Sequence, residues 1–94
     1  MVLDIEFIPR IINSMITFLK PVVPASIFQQ YSSILELDPM EQKCAIQREI
    51  KPYEFCLEDF IEDMIAKHGL KVEDFRREDI LKFKRYLTAL CDAV

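Results

Sequence analysis

Pro52-Tyr53-Glu54-Phe55-Cys56-Leu57-Glu58-Asp59-Phe60-Ile61-Glu62-Asp63-Met64-Ile65-Ala66-Lys67-His68-Gly69 is the stretch that decides the fold. Tyr53, Leu57, Phe60, Ile61, Met64, Ile65 and His68 recur at helical spacing across four turns, and this period marks one apolar stripe on an otherwise polar helix. Pro52 suits a first turn, where its missing N–H costs nothing. Gly69 follows at the position where a helix ends in a left-handed residue. The stretch therefore predicts an amphipathic helix from Pro52 to His68 that must bury its stripe against other helices.

The same signals repeat on both sides. Downstream, a short turn over Val72 to Phe75 leads to a helix from about Asp79 to Val94, with Ile80, Phe83, Leu87, Leu90, Cys91 and Val94 facing inward. Upstream, Asp38-Pro39-Met40-Glu41 is the strongest local start signal. Asp38 can accept from free N–H groups, Pro39 fits the first helical position, and Glu41 completes a capping-box-like pattern. The helix it opens runs to about Ile50 and is weakly amphipathic, with Met40, Cys44 and Ile50 expected inside. Before it, Pro24 to Leu35 carries Ile27, Phe28, Tyr31, Ile34 and Leu35 on one side. Lys20-Pro21-Val22-Val23-Pro24 is a stiff connector, since proline disfavours helix in the residue before it. The first helix runs from Ile5 or Pro9 to Leu19 on Ile8, Ile11, Ile12, Met15, Ile16 and Leu19.

No alternating strand pattern occurs. A single glycine in 94 residues argues against sandwiches and barrels, which need glycine for tight turns. The expected fold is all-α: one domain, residues 1–94, in a single compact bundle of five or six short helices.

Composition closes off several function classes. With 51% hydrophobic and 30% charged residues, the chain can build a core and is no disordered polypeptide. A net charge of -4 offers little to a phosphate backbone, so no nucleic acid is expected as partner. The apolar run Phe7 to Phe28 is interrupted by Arg10, Asn13, Lys20 and prolines, which rules it out as a membrane span. Asp4 and Glu6 stand where a secretory leader would be basic. Cys44, Cys56 and Cys91, an odd number without C-x-x-C spacing, read as reduced, buried thiols of a cytoplasmic protein.

Little in the sequence suggests chemistry. His68 is the only histidine, and its place before Gly69 fits helix capping or packing better than catalysis. No cysteine or histidine pair has zinc spacing, and no glycine-bearing acidic loop exists for calcium. There is no phosphate-binding loop. The chain is expected to need no cofactor and to be no enzyme. Glu54, Glu58, Asp59, Glu62 and Asp63 instead form an acidic flank, either a solvated face or a docking face for a basic partner. Arg76, Arg77, Lys82, Lys84 and Arg85 on the last helix are the basic counterpart, read as balancing those acids. Seven phenylalanines exceed what the core needs. Most belong inside, but Phe18 and Phe55 fall off their helix stripes, and surplus aromatics can line a groove for an amphipathic helix.

The order of these motifs resembles the BART-like domain. Ile11-Ile12-Asn13-Ser14-Met15-Ile16-Thr17-Phe18-Leu19, a proline connector and Ile27-Phe28 look like that family's opening. Asp38-x-x-Glu41-x-Lys43 is similar to its acidic link. Tyr53, Leu57, Ile61 and Ile65 to Gly69, then Phe75, resemble its central helix and the step after it. The similarity spans about Ile11 to Phe75 and rests on hydrophobic spacing rather than a rare signature. Val22-Val23 stands where the family favours an aromatic. The family pattern continues past the position of Val94 into another helix, so the resemblance implies either a domain shortened at its C-terminal end or a partner that supplies the missing packing. It further implies an effector of GTP-bound Arf-like small GTPases that grips the switch regions and an amphipathic helix of the GTPase, in ciliary or centrosomal traffic.

The resulting expectation is a protein-binding helical adaptor with an Arf-like small GTPase or an amphipathic helix as partner. Helix faces nominate Phe18, Phe28, Tyr53, Leu57, Phe60 and Phe75 for its groove, with Glu58 and Glu62 at the rim. The alternative is an oligomerisation or scaffold domain that buries an apolar face against itself or another helical protein.

Overall fold

The computed structural model describes residues 7–94. Five α-helices make up the bundle: α1 (Phe7–Leu19), α2 (Gln29–Leu35), α3 (Pro39–Glu49), α4 (Leu57–Lys67) and α5 (Arg77–Asp92). Three 3-10 turns, Ala25–Phe28, Lys51–Tyr53 and Val72–Asp74, precede α2, α4 and α5 respectively. The described residues contain no strand. Ile5, Asp4 and Glu6, invoked above for the first helix and the leader, lie outside the described residues.

α5 is the organising element, packing against α1, α3 and α4. Its inward face is Ile80, Phe83, Leu87, Leu90 and Cys91, as its period predicts. α1 buries Ile8, Ile12, Met15 and Leu19 against it. Ile27, Phe28, Tyr31 and Ile34 enter the core from the turn before α2 and from α2 itself. Phe28 stacks on Phe83 at a centroid distance of 5.9 Å, and Tyr31 meets Phe83 edge-on at 6.2 Å. Buried Tyr31 donates its hydroxyl to Met64 Sδ at 3.6 Å, which ties α2 to α4. Burial drives the Tyr31 phenol far above its usual pKa.

Several ends follow their sequence signals. Asp38 caps α3, its carboxylate accepting from the Glu41 N–H at 3.0 Å, with Pro39 in the first turn. At the end of α4 the Gly69 N–H donates to the Ala66 carbonyl and the Leu70 N–H to the Ile65 carbonyl. This paired closure needs a left-handed residue, and Gly69 supplies it at φ 74°. Val72 to Phe75 is a short turn, as expected.

Four expectations are corrected. The second helical segment begins as a 3-10 turn, so α2 proper starts only at Gln29. α3 buries Gln42, Ala45 and Ile46, followed by Ile50. Met40, 71% exposed, and Cys44 lie on the opposite side. A helix with few apolar residues takes its orientation from its neighbours, and here small Ala45 lies on the inward face. Among the thiols only Cys91 is buried, and that burial raises its pKa, whereas Cys44 and Cys56 are exposed.

The fourth concerns the start of α4. Pro52 opens no continuous helix; it sits inside the 3-10 turn Lys51–Tyr53, and the chain breaks at Cys56 (φ -141°, ψ 42°) before α4 begins at Leu57. Tertiary contacts hold this turn. Ile50 just before it is fully buried. Lys51 Nζ pairs with Glu54 Oε2 at 2.9 Å and donates to the Cys91 carbonyl at 3.1 Å, close to the C-terminal end of α5. A cation there meets the negative end of the helix dipole and an otherwise free acceptor. The bond to Glu54 raises the Lys51 pKa.

Candidate functional site

The break before α4 builds the most distinctive surface of the molecule. Residues Tyr53 and Phe60 would stand about 10.5 Å apart along the axis of a continuous helix. With the helix interrupted, their rings approach to 4.8 Å between centroids, tilted by 34°. They line an open cleft of about 550 Å³ together with Gln30 from α2 and Asp63, Met64, Ala66, Lys67 and His68 from α4. Tyr53, Phe60, Met64 and Ala66 give it apolar walls. Tyr53 remains 44% exposed, so a large aromatic face is available to a partner.

Phe55 lies on the other side of the same turn. It is 96% exposed, and its surroundings open toward Lys84 of α5 and include Cys56, Glu58 and Asp59. A phenylalanine this bare contributes nothing to the core and forfeits the gain of burial until something covers it. The sequence had marked Phe55 only as off-stripe. Its position in the turn, with no helical neighbour to shield it, was the missing information.

The nominated groove residues separate into three groups. Tyr53 and Phe60 meet in the cleft. Phe28, 2% exposed, and Leu57 are core residues, and no partner reaches them in this fold; both were expected in the groove because a stripe cannot distinguish its buried centre from its rim. Phe75, half-buried, packs on the core after the last 3-10 turn. Phe18 is 61% exposed and lies far along the chain on the outer side of α1, beside a separate shallow concavity lined by Pro9, Arg10, Asn13, Ser14 and Thr17. The cleft is the stronger candidate because three elements frame it, whereas one helix alone lines the concavity on α1.

The acidic flank is not uniform. Glu58 accepts from Arg77 Nη2 at 2.8 Å, joining α4 to α5 as the expected balance between acidic and basic helices. Arg76, at the N-cap of α5, pairs with Glu78 in its first turn. Asp59, Glu62 and Asp63 are exposed and have no ion-pair partner among the described residues. Glu62, expected at the rim of the groove, is not part of the cleft's lining; it lies two residues on from Phe60, on a different face of α4.

His68 is exposed at the C-cap of α4 and lines the cleft with a single carboxylate, Asp63. No cysteine or serine lines that cleft. Among the described residues no group of three or more histidines, cysteines or acids could hold a metal ion. No described helix is long and apolar enough to cross a membrane.

Fold and site together define a small all-α bundle with an aromatic cleft whose one carboxylate, Asp63, is matched by one lysine, Lys67. No protein-family model, curated protein or solved structure matches the chain.

Proposed function

We propose that this chain is a protein-binding helical adaptor that engages a helical element of its partner through the Tyr53–Phe60 cleft, with Phe55 as a second anchor. The observation that carries this reading is the aromatic cluster held in solvent on a turn pinned by the Lys51–Glu54 pair. Aromatic side chains supply large contact area with few rotatable bonds, which is why they dominate binding hot spots. Pinning the turn lowers the ordering cost of association.

The partner class suggested by the resemblance is an Arf-like small GTPase in its GTP-bound state, in cytoplasmic, ciliary or centrosomal traffic. The reading is tested with purified Arf-like GTPases loaded with a non-hydrolysable GTP analogue or GDP and titrated against the chain. Binding only in the GTP-analogue state, weakened at least about tenfold by Phe55→Ser with Tyr53→Ala, is the expected result. Equal binding in both nucleotide states removes the effector part of the proposal.

A second reading, self-association, draws on Phe7 and Phe18, which share an exposed stripe of α1 with half-buried Ile11. Sedimentation across a concentration series separates the two. A dimer abolished by Phe18→Ser would assign α1 to a homotypic contact.

A further inference from the structure

We infer that the outward face of α5 around Leu81, Lys84, Arg85 and Thr88 docks a short acidic helical segment of a partner protein. The inference goes beyond the adaptor reading, because no residue lining the Tyr53–Phe60 cleft takes part in it. The four positions follow the i, i+3, i+4, i+7 spacing and so share one side of α5, opposite the buried Ile80, Phe83, Leu87 and Leu90. They line a shallow concavity of about 320 Å³ that holds two cations and no carboxylate. Of the basic residues on α5, Arg77 alone reaches an acid of α4, Glu58. Lys82, Lys84 and Arg85 have no ion pair among the described residues. Thr88 donates its hydroxyl to the Lys84 carbonyl at 2.9 Å, which leaves Lys84 and Arg85 as the donors on this face.

Charge decides the class of occupant, and the length of the patch decides its kind. An acidic segment gains charge-assisted hydrogen bonds here, and the planar guanidinium of Arg85 can take a carboxylate with two parallel N–H groups. Leu81, 36% exposed, gives the same segment an apolar contact one turn before the cations. The patch is short: Leu81 to Thr88 rises about 10.5 Å along the helix axis, and Glu78 and Asp92 stand one turn beyond its two ends. Carboxylates there oppose a polyanion or an anionic membrane, which would extend past the patch, whereas two turns of a partner helix fit between them. On its Lys84 side the face borders the Phe55 concavity, where Asp59 is exposed and unpaired among the described residues. Asp59 repels a carboxylate there and so places the occupant's acids at Arg85, with exposed Lys82 beside it.

The test uses synthetic amphipathic helical peptides with one leucine face and a flank of glutamate, glutamine or lysine, titrated against the chain at low and high salt. At low salt the glutamate peptide should bind about tenfold tighter than the glutamine peptide, with the lysine peptide weakest, and the advantage should shrink as salt rises. Lys84→Gln with Arg85→Gln should abolish the glutamate advantage. An equal charge change elsewhere, Lys43→Gln with Lys71→Gln, should retain it, and so should Tyr53→Ala, which alters the cleft alone. Equal affinity for glutamate and glutamine peptides overturns the inference, and so does failure of every peptide to bind. An equal loss in both double variants also overturns it, because attraction would then be diffuse. Loss of the advantage in Tyr53→Ala would place the peptide in the cleft and overturn it too. A dimer in sedimentation that Lys84→Gln with Arg85→Gln dissolves would give the face to a second copy instead. Retention on phosphatidylserine vesicles, lost in that variant, would give it to a membrane. The GTPase titration judges the adaptor reading separately from all of these outcomes.

Discussion

Two aromatic clusters of this small bundle behave in opposite ways. Phe28, Tyr31 and Phe83 are enclosed by α2, α5 and the turn before α2, while Tyr53, Phe55 and Phe60 gather around the turn before α4 and face water to differing degrees. Each cluster includes a 3-10 turn. Ala25–Phe28 sends Ile27 and Phe28 inward, whereas Lys51–Tyr53 buries none of its residues. The second turn is instead tethered by a charged side chain, Lys51, reaching the end of α5. Identical side-chain chemistry thus gives cohesion where helices close over it and a contact surface where a polar clip holds it open. Counting aromatics in a sequence measures neither.

Substitutions can break this contrast, the largest effect being expected in the core. Phe83→Ala removes the ring that both Phe28 and Tyr31 touch and should cost about 3–5 kcal/mol, a large share of the ~5–15 kcal/mol that holds a domain together. A shift of the urea midpoint measures it; a small shift would mean that the inner cluster is less cohesive than its geometry implies. Gly69→Ala forces a side chain into the left-handed region at φ 74°, at about 1–2 kcal/mol, although open space surrounds the new methyl. Gly69→Asn should recover part of that loss, since asparagine tolerates this conformation.

Tyr31→Phe should change stability by less than about 1 kcal/mol at neutral pH, because a thioether is a weak acceptor. Its larger effect appears in alkali. Burial raises the pKa of both Tyr31 and Cys91, so the folded state holds these protons more tightly than the unfolded chain. Their contribution is therefore complete below about pH 9 and is lost as pH rises past the unfolded values, 9.0 for the thiol and 10.0 for the phenol. Urea midpoints should fall with pH in that window, less steeply in Tyr31→Phe, and phenolate absorbance should show one tyrosine that ionises only on unfolding. At the small end, Phe55→Ser should leave stability within about 0.5 kcal/mol. A marked loss would show that Phe55 is covered in solution and break the contrast from its other side.

Much of the fold was legible because helices announce themselves locally. The Asp38 cap, the Gly69 closure and the inward faces of α1 and α5 rest on spacing and on backbone groups that need partners within a few residues. In the α3 segment Ile50 is buried as expected, but Met40 and Cys44 face outward because the apolar residues are too few to mark one face. The start of α4 was misplaced for a related reason: Pro52 is compatible with a first helical turn, and nothing nearby in sequence reveals the pull from Cys91, distant along the chain. The same limit explains the groove. Tyr53 and Phe60 meet in the cleft, Phe28 and Leu57 are core, and Phe55 stands bare in a turn that helical spacing does not mark.

By itself the sequence determined the helical class, most element boundaries and the supply of aromatic and acidic residues, since those depend on local periodicity, capping and composition. Tertiary structure alone decided which aromatics face water and which acids stay unpaired. Exposure and ion pairing are set by whichever helix arrives from elsewhere in the chain, as α5 does when its C-terminal carbonyl holds Lys51 and its Arg77 takes Glu58, leaving the cleft between α2 and α4 open.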